Sequence, residues 1–204
     1  MIVSAESPRD ERKKAWQPPP AVDPAVLAAT AFKYDELGWC VIPIRHRNAS
    51  GKQPACNAWK SFQTVRPTRD QLVTWFKCKT LHGLAVVCGS VSGGLTCRDF
   101  DMKEGYDIWA AEHAELAITL PTVATSRGYH IYFYSDVQRI IECPDGELRG
   151  NGYCLLPPSV HPSGSCYTWM DEYDLAGIPQ IDPFLSGLGP PGTERTEISL
   201  RCAP

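Results

Sequence analysis

The segment "LTCRDFDMKEG", Leu95–Gly105, closes an apolar run with two aspartates one residue apart. On a strand, side chains i and i+2 point to one face, so Asp99 and Asp101 project together while Phe100 turns to the other side. Two carboxylates held side by side repel each other, and the repulsion is relieved by a proton or by a cation between them. Oxygen-only ligands on a sheet suit a hard divalent ion such as Mg²⁺ or Mn²⁺. A solvated strand end looks the same when taken alone, so other residues must decide.

Two further segments carry such residues. In "TSRGYHIYFY", Arg127 and His130 lead a strand, with Gly128 between them where backbone or ligand can come close. His130 shares a face with Tyr132 and Tyr134. An arginine and a histidine beside an acidic pair can hold a triphosphate through charge-assisted hydrogen bonds. A lone strand histidine is more often a satisfied core residue. In "GELRGNGYCLLPPSVHPSGSCYTW", Glu147 and Arg149 again share a strand face and offer a third carboxylate and another cation. Pro157-Pro158 cannot continue a central strand; they turn the chain and present Ser159 and His161 on a stiff loop. Lys52 lies in a polar loop, "HRNASGKQP". The turn "GSVSGG" is no Walker loop, because no Gly-Lys-Ser/Thr follows it.

The elements that must position these groups follow from local signals. Asp23 before Pro24, with Gly38 beyond, predicts a helix over about 24 to 37. Thr68 and Gln71 form a capping box ahead of a second helix over about 69 to 78. "WCVIPI", "GLAVVC" and "LTCRDFD" read as strands, followed by a helix near 105 to 116 and by "TVATS", "YHIYFY", "GYCLL" and "SCYTW" as four more. The fold class is α+β with a largely antiparallel sheet. Residues 1–20 read as a flexible tail, 21–185 as the folded domain, and 186–204 as a linker toward a further C-terminal region.

Composition limits the function. The 204 residues suffice for one domain, and 43% hydrophobic with 21% charged residues is globular. No apolar run reaches the roughly 20 residues of a membrane span, and the N-terminus lacks a signal-peptide core, which predicts a cytoplasmic protein. Nine cysteines without a CxxC pair predict reduced thiols rather than a disulfide frame or a zinc knuckle. The net charge of -3 hides an asymmetry: nine bases face three acids over residues 33–79, and fourteen acids face four bases over residues 99–182. The first half suits a polyanion and the second suits cations.

The ordered series "ELGWCVIPI", "GKQP…W", "VVCGSVSGGLTCRDFD", "PTVATSRGYHIYF", "LRGNGYCLLPPSVHPSGSCYTW" resembles the primase-polymerase (Prim-Pol) domain of the archaeo-eukaryotic primase superfamily over about residues 24 to 184. The resemblance implies an archaeo-eukaryotic primase-like fold with an RRM-like catalytic half. It assigns the acidic pair to Asp99 and Asp101 and the phosphate-contacting histidine to His130. The third metal-binding position carries Glu147 where aspartate is usual; Asp145 is the nearby competitor, and the spacing from Arg149 favours Glu147. Gly128 stands where a serine often precedes the histidine. The activity so implied is two-metal, template-directed nucleotidyl transfer with Mg²⁺ or Mn²⁺ in a phage, plasmid or mobile-element replication protein. Asp99, Asp101 and Glu147 would hold the ions, and His130, Arg127, Arg149, Ser159, His161 and Lys52 would hold the nucleotide. The partners would be single-stranded DNA template and primer, NTP or dNTP, and a helicase domain in the full-length protein. A metal-dependent nuclease and a catalytically degenerate nucleic-acid binding module are the alternatives.

Overall fold

The computed structural model describes residues 16–192, so most of the foreseen N-terminal tail and the end of the foreseen linker lie outside the described residues. In chain order the elements are α1 (Pro24–Glu36), β1 (Cys40–Arg45), β2 (Gln53–Pro54), α2 (Arg69–Phe76), β3 (Gly83–Val87), β4 (Leu95–Phe100), α3 (Lys103–Glu112), α4 (Ala114–Thr119), β5 (Thr122–Ala124), β6 (Tyr129–Tyr134), β7 (Ile140–Cys143), β8 (Gly146–Arg149), β9 (Tyr153–Leu156) and β10 (Thr168–Trp169). Helices combined with antiparallel ladders make the fold α+β, as the sequence indicates.

The two front helices start where their caps predict. Asp23 Oδ1 accepts the Ala25 N–H at 2.7 Å, and Thr68 and Gln71 cap α2 reciprocally. Each such cap stabilises its helix by about 1 kcal/mol. Leu27, Ala31 and Tyr34 of α1 and Leu72 and Phe76 of α2 are buried. Arg66 and Arg69 close the helix pair from outside through Asp35, at 2.5 and 3.5 Å, and Arg69 also covers the Phe32 ring at 3.7 Å. Part of the basic front half is therefore spent inside the fold.

The strands form two sheets rather than one. The first has the order β2-β1-β3-β9 and the second β10-β5-β6-β4-β8-β7. The "GSVSGG" turn thus passes the chain from one sheet to the other instead of closing a hairpin. Tyr132 of β6, fully buried, donates its hydroxyl to the Leu155 carbonyl of β9 at 3.3 Å and so links the sheets. Trp39 Nε1 donates to Tyr134 Oη at 3.0 Å beside it. At the far edge, Leu188 is fully buried and Trp109 Nε1 donates to the Ser186 carbonyl at 2.9 Å.

Three local expectations are corrected. The helix foreseen near 105 to 116 is two helices, broken at His113, whose φ of -127° and ψ of 48° leave the helical region. β7 has no counterpart among the expected strands, because Ile140 and Glu142 stay exposed and blur the alternation that marks a half-buried strand. "LTCRDFD" stops at Phe100, so Asp101 stands just past the strand, in a bend.

Candidate active site

Register builds the site. β4 lies between β6 and β8, and Asp99 is the cross-strand partner of His130 on one side and of Glu147 on the other. Opposed residues of antiparallel strands share a face, so the pairing alone sets His130, Asp99 and Glu147 in one row. Arg149, paired with Cys97, stands one row behind on the same face. Glu142 of β7, opposite Glu147, extends the acidic end of the row.

The contacts match this placement. His130 Nε2 lies 3.4 Å from Asp99 Oδ1, and Arg149 Nε lies 3.5 Å from Asp99 Oδ2. Arg149 also forms an ion pair with Glu147. Burial would push the Asp99 carboxyl up, but His130, Arg149 and Lys52 outweigh it and hold the pKa at about 2. Burial likewise lowers His130, and the Asp99 carboxylate reverses the sign and raises it. Lys52 goes the other way: burial of its ammonium, helped by Arg149 and Arg127, lowers it against the pull of Asp99.

Two hollows adjoin at Arg149. A cleft of about 310 Å³ is lined by Lys52, Trp59, Asp99, His130, Tyr153 and Tyr167, among others. Its cations suit an anion. The second hollow, about 330 Å³, is lined by Asp101, Glu142, Gly146, Glu147 and Arg149, and its carboxylates suit a cation. Among the described residues, no three His, Cys, Asp or Glu side chains are gathered closely enough to hold a metal ion as they stand. The donor chemistry nonetheless fits a hard divalent cation: every candidate ligand is a carboxylate oxygen, and Glu147 Oε2 is buried without a hydrogen bond, with only the Arg149 ion pair to offset its charge.

Two glycines fix the backbone that carries the acids. A Cβ on Gly128 would sit 1.9 Å from the Phe100 carbonyl oxygen, and one on Gly146, whose φ is 141°, would sit 2.0 Å from the Asp99 carbonyl oxygen. The close approach expected at Gly128 is thus an approach of backbone to backbone. Asp145, the competitor for the third acidic position, pairs instead with Arg98, which is 2% exposed and stacked on the Phe100 ring at 3.9 Å. Arg98 also donates to the Asp99 carbonyl at 2.6 Å. Its side chain lies on the opposite face of β4 from Asp99, so Glu147, and not Asp145, stands in the row.

The other foreseen residues are placed as follows. Arg127 is exposed at the tip of the β5–β6 hairpin. His161 bonds Ser163 Oγ at 2.8 Å, and partial burial together with the charges of Lys52, His46 and Arg127 pushes it down to about 4. His161 is accordingly expected to remain a neutral imidazole as pH falls to about 5, and an NMR titration of its ring protons checks this. Ser159 does not reach the cleft: fully buried, its Oγ accepts the Leu84 N–H at 2.9 Å and donates to the Leu84 carbonyl at 2.8 Å. It fastens the proline loop to β3. All eight cysteines among the described residues are free thiols.

Sequence reading missed Tyr167. It is 1% exposed, lies on the cleft with its ring 5.8 Å from that of His130, and its hydroxyl is buried with no hydrogen-bond partner. The "YTW" triplet reads as a strand end, and only the tertiary fold brings its first residue, Tyr167, to the cleft. Trp59, edge-on to Tyr153 at 4.9 Å, forms the opposite aromatic wall.

A cationic cleft that abuts a carboxylate hollow on one sheet face can take a polyphosphate on one side and divalent cations on the other, which is the equipment of a nucleotidyl-transfer site. Compared with known protein families, residues 31–181 match the one described as "Bifunctional DNA primase/polymerase, N-terminal". The chain belongs to this Prim-Pol family, and membership implies activity of the nucleotidyltransferase type. No curated protein matches the chain closely. Among the described residues, no helix is long and apolar enough to cross a membrane.

Proposed function

We propose that this domain is the DNA primase/polymerase unit of a phage, plasmid or other mobile-element replication protein acting in the host cytoplasm. In the proposed reaction a primer 3′-hydroxyl attacks the α-phosphate of a bound NTP or dNTP on a single-stranded DNA template. The new O3′–Pα bond forms as the bond from Pα to the bridging oxygen breaks, and pyrophosphate leaves. The observation that carries this reading is the row His130–Asp99–Glu147, set by register at the seam between a cationic cleft and an acidic hollow.

Asp99, Asp101 and Glu147 would hold two Mg²⁺ or Mn²⁺ ions. When bound, such ions neutralise the triphosphate and favour the deprotonated form of the attacking hydroxyl. The chain's own groups supply the remainder. Lys52, His130, Arg127 and Arg149 bind phosphate oxygens, and Arg149 exchanges its carboxylate partners for the nucleotide. His161, neutral, donates a hydrogen bond rather than a charge. Trp59 and Tyr153 exclude water from the cleft wall. A helicase region in the full-length protein would supply the template.

Extension of a labelled primer on single-stranded DNA with each nucleotide class and each metal tests this. Incorporation supports it, cleavage of the DNA in the absence of nucleotides supports a nuclease instead, and binding without either reaction supports the degenerate module. The last outcome has one observation in its favour, since Arg149 occupies both Asp99 and Glu147. Tyr167→Phe is expected to raise the nucleotide KM about 3- to 10-fold, the worth of one hydrogen bond, with the melting temperature unchanged. An unaltered KM would show that the hydroxyl meets no ligand.

A further inference from the structure

The cleft beside His130 has two ends of different chemistry. One end carries the groups that suit phosphate: Arg149, Lys52 with its ammonium 5.9 Å from the Tyr167 ring centre, and His130 with its ring 5.8 Å from the same ring. The other end is lined by Trp59, Tyr153, Gly152 and Ile140. Trp59 and Tyr153 meet edge to face at 4.9 Å, and a Cβ on Gly152 would meet Ile140 Cδ1 at 3.2 Å, so these neighbours form one apolar wall. The wall is left uncovered: Ile140 is 43% exposed, and Trp59 and Tyr153 are only half-buried. Apolar surface grouped in this way is stabilised by whatever removes it from water.

The wall offers no side chain that would read the edge of a base. The Tyr153 hydroxyl donates to the Lys52 carbonyl at 2.9 Å. Gln63, on the same turn as Trp59, bonds Asn151, next to Gly152, at 2.5 Å, and neither amide is among the groups lining the cleft. The backbone before Trp59 is strained. Ala58, with φ 49° and ψ 42°, is the one non-glycine residue of positive φ among the described residues. That region is disfavoured for a residue with a Cβ and persists where the surroundings enforce it. The 3₁₀ turn Trp59–Gln63 starts directly on Ala58, whose carbonyl accepts the Ser61 N–H at 2.9 Å. Phe62, buried and edge-on to Trp75 at 5.2 Å, pins the turn to α2, so Trp59 is held at the cleft rather than on a free loop.

We infer that Trp59 is the platform on which the base of the incoming nucleotide lies, with Tyr153 and Ile140 completing a wall that holds any of the bases by stacking and dispersion. The platform rests on the nucleotide-binding reading of the cleft. The occupant is a nucleobase because the wall and the cations share one cleft of about 310 Å³, a size that takes a small molecule. A ligand with its phosphates at Lys52, His130 and Arg149 has its aromatic part beside Trp59. Every base has a π-face, so a wall that stacks without reading hydrogen bonds leaves the choice of base to the template.

The test compares inorganic tripolyphosphate with each of the NTPs and dNTPs, titrated in Mg²⁺ without DNA into the unaltered chain, Trp59→Phe and Trp59→Leu, beside melting curves. We expect the unaltered chain to bind nucleotides more tightly than tripolyphosphate. Trp59→Leu is expected to weaken every nucleotide that binds by about 5- to 100-fold and tripolyphosphate by less than about twofold, and Trp59→Phe to keep most of the affinity. Equal affinity of the unaltered chain for tripolyphosphate and nucleotides overturns the platform while sparing the phosphate end. A folded Trp59→Leu that loses both ligands alike, loses one base only, or loses nothing also overturns it. Should Trp59→Leu fail to fold, ¹⁹F NMR of the unaltered chain carrying 5-fluorotryptophan decides. The Trp59 signal, assigned by its loss in Trp59→Phe, shifts with nucleotides and not with tripolyphosphate if the platform is real, and a signal that ignores nucleotides or follows both ligands overturns it. Failure of the unaltered chain to bind either ligand would instead overturn the proposed function, and the platform with it.

Discussion

Asp101→Ala is expected to lower primer extension by at least about 10²- to 10³-fold, the usual cost of removing one charge-stabilising group from a transfer site, while the melting temperature moves by no more than about 2 °C. The contrast with Asp99 makes this variant informative. Asp99 is held among His130, Arg149 and Lys52, and its removal would leave those cations in a half-buried cluster without a counter-charge. Loss of activity in that variant could be loss of structure. Asp101 is exposed past the end of β4, and among the described residues its carboxylate enters no hydrogen bond or ion pair. Its backbone N–H, which an alanine retains, donates to the Asp145 carbonyl at 3.0 Å. The side chain lines the acidic hollow beside Glu147 and makes no contact that holds the fold, so its removal reports on the proposed metal site rather than on structure. Undiminished extension by Asp101→Ala, measured beside a melting curve, would remove the carboxylates from the mechanism.

Gly128→Ala is expected to lower stability by about 3 kcal/mol or more, equivalent to roughly 6 to 12 °C in melting temperature, and to abolish activity even where the protein remains folded. The added Cβ would meet the Phe100 carbonyl oxygen at 1.9 Å, the Asp101 carbonyl carbon at 2.8 Å and the Met102 nitrogen at 2.9 Å. All three are backbone atoms, so no rotamer change relieves the clash, and the chain that must move is the one that aims Asp99 and Asp101. Gly164→Ala provides the control. That position has a φ of 97° but nothing within 4 Å, so the substitution carries only left-handed strain of about 1 to 2 kcal/mol and leaves the site untouched. Thermal melts of the two variants, run with extension assays, separate crowding from strain. Equal losses in both would show that the close approach at Gly128 is not rigid.

What the sequence disclosed was what local rules govern. Asp23-Pro24 and Thr68-Gln71 announced their helices because a cap needs only its own turn, and the alternation in "YHIYFY" placed His130 on one face because the period of a strand is two. The residue types of the site were visible for the same reason. Register was not, because Asp99 meets His130 and Glu147 through pairings between segments some 30 to 50 residues away, and nothing local sets that alignment. The same limit hid the division into two sheets, the use of Asp145 by Arg98, and the inward turn of Ser159, which looked like a loop hydroxyl until Leu84 claimed both of its hydrogen bonds. Tyr167 escaped because an orphaned hydroxyl is a property of the folded surroundings, not of the triplet that contains it.

The basic front half teaches the complementary lesson. Counting charges over residues 33–79 suggested one polyanion-binding surface, yet Arg66 and Arg69 are bound to Asp35 on α1, whereas Lys52 is the one base of that stretch among the residues lining the cleft. Composition reports how many charges exist, and pairing decides which remain for a ligand.

The central claim is that the carboxylates of Asp99, Asp101 and Glu147 hold divalent ions beside His130 and the nucleotide's phosphates. The most direct measurement is anomalous diffraction from crystals soaked with Mn²⁺ and a non-hydrolysable nucleotide. The account predicts manganese peaks in contact with those three carboxylates, with Arg149 swung away from Asp99 and Glu147 onto the nucleotide. Manganese at other residues, or a nucleotide in the cleft with Arg149 still paired to both acids and no metal at the row, would contradict it.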